Sequence, residues 1–376
     1  MKYLFVSKKK MPKNINFQSL ARSKKILPYL KKIDANKHYS NFGPLHNKTT
    51  RIIENLVKFP GYSCTLTSSG DASLNAVFKL IKYKNPKKKI VICPSFAFFS
   101  DANNIFNNGF KPYFVDINKH DLTYDMNLLE KVLAKKKNQI AAILYVSPFG
   151  YPISIQRLNY IYKKYKISVI YDAADTFLNL KNEIPLKEIF ITCSFHPTKT
   201  LPGNESGLVL SPKKYKDYFY TIINHETLDL KKIKGKNTIC GFNGKASEYD
   251  CAILLANLKR SKKEQKKVND KNLFFKDNLN KNFFFQPDYG KWASNKLVFF
   301  TKINRTKLER LLNSFQVRLY KIWGDKCLHE YKMYKNHYKT KMTNSINLKK
   351  MNYSFFIDDR FNKNFSEKLC KKLNSL

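Results

Sequence analysis

Paired cysteines are absent from this 376-residue sequence. Cys64, Cys93, Cys193, Cys240, Cys251, Cys327 and Cys370 are scattered, none forms a CxxC pair, and their number is odd. That spacing argues against a disulfide framework and a zinc site and fits the reduced thiols of a cytoplasmic protein, with no metal expected. No apolar run approaches the roughly 18 residues of a membrane span. The opening stretch MKYLFVSKKK has an apolar run of only four residues, too short for the core of a signal peptide. Acidic residues are scarce too: 28 Asp and Glu face 70 Lys and Arg, for a net charge of +42. Such a balance invites a nucleic-acid reading. The basic residues, however, run along the whole chain, and KNPKKK (84–89) and AKKKNQ (134–139) fall between apolar segments as solvated loops do. Asn, Ile, Tyr and Phe are abundant as well, the mark of a coding bias toward AT-rich triplets. A basic nucleic-acid-binding protein therefore stays as the lesser alternative, and a mild attraction for anionic ligands remains.

Internal repeats, low-complexity tracts and a Pro/Gly linker are also missing. What is present is an apolar fraction of 43%, enough for a real core. The length suits one large domain and a smaller one. KIVICPSF (89–96), KPYFVDI (111–117), IAAILYVSPFG (140–150), ISVIYDAAD (167–175) and IFITCSF (189–195) read as strands, and the Leu-Val-Leu run at 208–210 as a further buried one. Most are near-continuously apolar, as in a parallel sheet covered on both faces. Segments 125–137 and 154–166 have helical apolar spacing. This alternation predicts a doubly wound α/β domain over 1–245 and a smaller α+β domain over 246–376. The stretch 247–279 reads as one long helix opened by a Ser cap.

In such sheets ligands bind beyond the carboxyl ends of the strands. The unusual residues gather there. TSSGDASLNAVFKLI (67–81) is a Gly-containing turn opening a helix, able to hold a phosphate. PSFAFFS (94–100) offers aromatics, YDAAD (171–175) carboxylates, and SFHPTK (194–199) a Ser, a His and a Lys in a nearly uncharged stretch. A phosphate seat, an aromatic ring, a buried Asp and a buried Lys have one joint explanation in pyridoxal 5'-phosphate (PLP), which needs each of them.

Taken in order, the motifs resemble the DegT/StrS family of PLP-dependent nucleotide-sugar aminotransferases, which have the fold-type-I architecture. NFGPL (41–45), SSG (68–70), PSFAFFSDANNIFNNGFKPYFVDI (94–117), VSPFGYP (146–152), VIYDAAD (169–175), SFHPTKTL (194–201) and GFNGKASEYDCAILLANL (241–258) carry the resemblance. It implies that Lys199 is the Schiff-base lysine and proton shuttle, that Asp172 pairs with the pyridine nitrogen, and that Phe98 stacks on the ring. It implies further that Gly70, Asp71 and Ser194 hold the phosphate and Asp175 the ring hydroxyl. Asn243 would reach the site of a partner subunit, giving a homodimer with shared active sites, and His196 stands beside the substrate. Asp71 departs from the family's Thr, Asp175 from Gln or His, Ser147 from His and Lys245 from Arg. The retained Lys199 separates the chain from the dehydratase branch, where His stands. The implied reaction takes an amino group from an amino acid, glutamate above all, to a keto sugar on a nucleotide diphosphate, in surface-polysaccharide or secondary-metabolite synthesis. A same-fold PLP protein with another reaction, or with a regulatory role, is the alternative.

Overall fold

The computed structural model describes residues 21–180, 183–225 and 240–376. The N-terminal decapeptide weighed above as a leader lies outside them. The main sheet has seven strands: β1 Tyr62–Thr67, β2 Ile90–Pro94, β3 Lys111–Val115, β4 Ile140–Val146, β5 Ser168–Asp172, β6 Ile189–Ser194 and β7 Gly207–Pro212. Their spatial order is β1-β7-β6-β5-β4-β2-β3. Only β7 runs antiparallel to its neighbours; every other pair is parallel. Strands β1 to β6 therefore share one direction, and their carboxyl ends open on one edge.

Burial on both faces explains the apolar runs. Alternate residues of each strand enter opposite cores. Ile92, Ile143, Val169 and Ile191 enter one, with Ile33, Ile53, Leu158 and Leu255 from the helices α1 Ser23–Asn36, α2 Pro44–Val57, α6 Ile155–Tyr165 and α8 Glu248–Leu258. Val91, Leu144, Ile170 and Phe190 enter the other, under α3 Gly70–Lys84, α4 Phe99–Asn107 and α7 Lys216–Ile223. The segment 125–137 becomes α5 Met126–Lys136, as its spacing predicts.

The single helix expected over 247–279 is instead two. α8 ends at Leu258, and α9 Ser261–Asn278 begins after Arg260. Ser261 Oγ donates to the Leu258 carbonyl (3.0 Å) at the interruption, a local bond that competes with the helical ladder. The two pieces serve different cores. α8 is buried against α1 and α2, whereas α9 packs in a third core with the antiparallel pair β8 Lys296–Phe300 and β9 Asn352–Phe356. The helices α10 Arg305–Ser314, α11 Thr343–Met351 and α12 Lys363–Asn374 complete that smaller body. Its core also takes in Phe96 and Phe149, which follow β2 and β4, so it roofs the open edge of the main sheet. Among the described residues no helix is long and apolar enough to cross a membrane.

Candidate active site

β1 turns at once into α3. Ser69 caps that helix: its Oγ accepts from the Ala72 N–H (3.0 Å) and its carbonyl from the Ser73 N–H (3.1 Å). The cap leaves the N–H groups of Gly70 and Asp71 as the two first-turn donors it does not use. Glycine at 70 is a matter of space, since a Cβ there would lie 2.6 Å from Ser194 Cβ. The start of α3 and the end of β6 thus meet in one concave seat. Asp71 brings a carboxylate to this seat, and neighbouring donors hold it. Its Oδ1 accepts from Asn104 Nδ2 (2.7 Å) and from Ser100 Oγ, both on α4.

The seat opens into a cavity of about 410 Å³, within the range of small-ligand sites. Gly70, Asp71, Phe98, Asp172, Asp175, Ser194, His196 and Lys199 all line it. Asn243 does not: it is exposed, and its backbone bridges to Asn224. Phe98 is 50% exposed and meets Phe99 edge-on at 5.8 Å. Asp172, the last residue of β5, is buried and accepts the Ala174 N–H at 3.0 Å. Burial pushes its carboxyl above the usual range, against the pull of Lys199.

Lys199 sits in the turn after β6, its N–H bonded to the His196 carbonyl at 2.9 Å. Its Nζ lies 3.8 Å from Asp175 Oδ2, and Lys296 Nζ lies 3.0 Å from the same oxygen. Burial alone would raise the Asp175 carboxyl, but the two ammonium groups outweigh it and hold it below the usual range. His196 is engaged locally, through Nδ1 with Thr198 Oγ1 (2.8 Å) and Nε2 with Glu205 Oε1 (3.3 Å). Burial lowers its pKa.

Sequence reasoning missed several lining residues, three of which bear on the chemistry. Lys296, Trp323 and Asp101 join the cavity. The first two come from the smaller body and had no local signal. Asp101 drew no comment in the sequence, and in the first turn of α4 it could have been an ordinary exposed acid at a helix start. It is instead fully buried, and neither carboxyl oxygen makes a full hydrogen bond.

PLP fits this set. A phosphate seat, a half-exposed aromatic ring, a buried carboxylate and an amine share one lining. Asp175 Oδ1 is a buried acceptor with no partner in the protein, so the lining has unspent polar capacity.

The profile of the DegT/DnrJ/EryC1/StrS aminotransferase family matches residues 21–374. A dTDP-4-amino-4,6-dideoxy-D-glucose transaminase of Shigella dysenteriae is 30% identical over 236 residues, 62% of this chain and 60% of that protein. A UDP-4-amino-4,6-dideoxy-N-acetyl-beta-L-altrosamine transaminase of Campylobacter jejuni is 28% identical over 240 residues, 61% of this chain and 62% of that protein. The chain thus spans about three fifths of the length of these curated relatives. Among solved structures, a DegT DnrJ EryC1 StrS aminotransferase from Brucella abortus superimposes with a TM-score of 0.81 at 18% identity, over 94% of this chain and 95% of that one.

Proposed function

The chain belongs to the DegT/DnrJ/EryC1/StrS aminotransferase family, and from that premise we propose that it uses PLP to move an amino group from an amino acid, with glutamate as the favoured donor, to a keto sugar carried on a nucleotide diphosphate. The observation that carries the reading is the meeting of Lys199, Asp172 and the start of α3 on one cavity. The nucleotide-sugar class is supported by the names of the relatives and suits a chain of net charge +42.

Each role follows from position and chemistry. The N–H groups of Gly70 and Asp71, with Ser194 Oγ, hold the phosphate at the positive end of α3. Phe98, half exposed on the cavity lining, would screen the ring from water. The Asp172 carboxylate favours the protonated state of the ring nitrogen. Bound PLP supplies a carbonyl that condenses with amines and a ring that accepts electrons. Lys199 Nζ is the amine on this cavity that would take the proton from the amino acid's α-carbon, hold it, and return it in the second half-reaction. Asp175 and Lys296 flank that amine and fix where it rests. Asn243 serves the site of a partner subunit, in a homodimer.

The test follows the bound cofactor by absorbance. Glutamate should convert the PLP form to the amine form, and a dTDP- or UDP-linked 4-keto-6-deoxy sugar should convert it back. Lys199→Ala should keep the fold and lose both conversions. A protein that retains no PLP refutes the reading. Conversion by glutamate with no return by any nucleotide-linked keto sugar refutes the substrate class alone.

A further inference from the structure

We infer that Asp101 and Asp172 form a carboxyl dyad that holds one proton between them at the floor of the cavity, which makes Asp101 a positioning residue for the carboxylate facing the ring nitrogen. The inference rests on the reading of the cavity as a PLP site for the ring's place, though not for the dyad itself.

Asp101 has no exposed surface, neither of its carboxyl oxygens makes a full hydrogen bond, and the Phe98 backbone is the one donor that approaches it, weakly. A buried charge needs pairing or hydrogen bonds, and as an anion Asp101 has only the weak support of the Phe98 backbone and the more distant Lys199. The titratable groups around it are the Asp172 carboxyl on β5, the Cys93 thiol on β2, the Tyr124 phenol and, across the cavity, the Lys199 ammonium. Asp175 adds its charge to the surroundings of Asp172. The Tyr124 hydroxyl donates to the Leu144 carbonyl (2.6 Å) and Cys93 Sγ to the Pro94 carbonyl (3.3 Å), so neither proton is available to Asp101. Asp172 remains: its carboxyl lines the same cavity and is, after burial itself, the strongest influence on Asp101.

Two carboxyl groups that close do not both ionise. One proton between them turns two facing acceptors into a donor and an acceptor, in the short charge-assisted kind of bond. Burial and the Asp172 charge both push the Asp101 carboxyl well up, while the Phe98 backbone and Lys199 oppose more weakly. The proton therefore resides on Asp101 and the charge on Asp172. The ring nitrogen then meets one negative charge, on a carboxylate held from behind by Asp101 and from the side by the Ala174 N–H.

Infrared spectra of the full chain at neutral pH read that proton directly, cofactor-free and PLP-loaded, with and without ¹³C-labelled aspartate. Asp101 and Asp172 are the two aspartates raised among the described residues, so the signal is assignable. A protonated-carboxyl band that shifts with the label is expected in both forms. Asp101→Asn, close in shape and still a donor toward Asp172, should remove it with unchanged circular dichroism; Asp101→Ser should do the same if the amide variant fails to fold. In the loaded protein Asp101→Asn should also move the pH midpoint of the cofactor's absorbance by about one unit, which a merely space-filling residue would not. A cofactor-free wild type without the band, a band that survives the substitution, or an unmoved midpoint overturns the inference. A protein that shows the band yet retains no PLP overturns the functional reading and leaves the dyad standing.

Discussion

Asp175 answers two cations with one carboxylate. Lys199 comes from the turn after β6 and Lys296 from β8, 121 positions from Asp175, and all three side chains are largely shielded. Removing the charge while both amines stay leaves them uncompensated and mutually repulsive. Asp175→Asn should therefore destabilise the protein by about 3–5 kcal/mol in denaturant unfolding, the usual cost of breaking a buried ion pair from one side. Adding Lys296→Met should recover part of that loss; no recovery would show that Lys296 is not a true partner. The pH dependence has a definite sign. The folded carboxyl titrates below its ordinary value, so its contribution is full above the unfolded value near about 3.9 and is lost as pH falls through the lower folded one. The sequence marked Asp175 as a departure from the family, because the motif around it is local. It gave no sign of Lys296, since one lysine among so many has no signature until the third core folds over the sheet edge. Asp101 escaped notice for a similar reason. Nothing local marks it, and only tertiary packing reveals that it faces inward.

At the scale of elements, two of the motifs that carried the family resemblance are two sides of one joint. Pro44 opens α2, and the Glu248 side chain at the start of α8 accepts the N–H groups of Leu45 (2.8 Å) and His46 (2.7 Å). Glu248 is buried, and a Cβ on Gly43 would lie 2.7 Å from its Cδ, so the glycine of NFGPL makes room for the glutamate of the ASE segment. The carboxylate also sits at the positive end of α2. Glu248→Ala would leave two buried donors without acceptors at about 1–3 kcal/mol each. Chemical denaturation should show a loss of roughly 2–6 kcal/mol on that basis. Glu248→Gln, which keeps one acceptor, should lose less, and equal losses would mean that packing and not hydrogen bonding is at stake. Elements of this kind were legible unevenly. The parallel strands were readable because burial on both faces makes their sequences continuously apolar, as in IAAILYV. β1, with polar residues in YSCTLT, was not marked as a strand: its threonines and serine are buried by tertiary packing that no local pattern reports. The break between α8 and α9 was hidden because both halves are good helix sequence, and only their assignment to different cores separates them.

The whole molecule places a cavity at the junction of two bodies, and one expected contributor stands outside it. Asn243 lies in the segment between α7 and α8, exposed, while its neighbour Lys245 bridges to Thr67 at the end of β1. The segment is thus anchored beside the start of α3, yet its asparagine does not line this chain's cavity. That position suits a residue that serves a second copy of the chain, and complementation tests it. Asn243→Ala and Lys199→Ala should each be nearly inactive alone, and each should remain folded and dimeric. After subunit exchange, a mixed dimer contains one site that draws its lysine and its asparagine from intact residues on different chains, while its other site lacks both. With random exchange at equal amounts half of the dimers are mixed and each has one working site of two, so activity should return to about a quarter of wild type. If Asn243 served its own chain's lysine, every site in the mixture would lack one residue or the other. Mass spectrometry establishes that mixed dimers have formed. Mixed dimers with no recovered activity would remove Asn243 from the partner's site, and a fully active Asn243→Ala homodimer would remove it from any site.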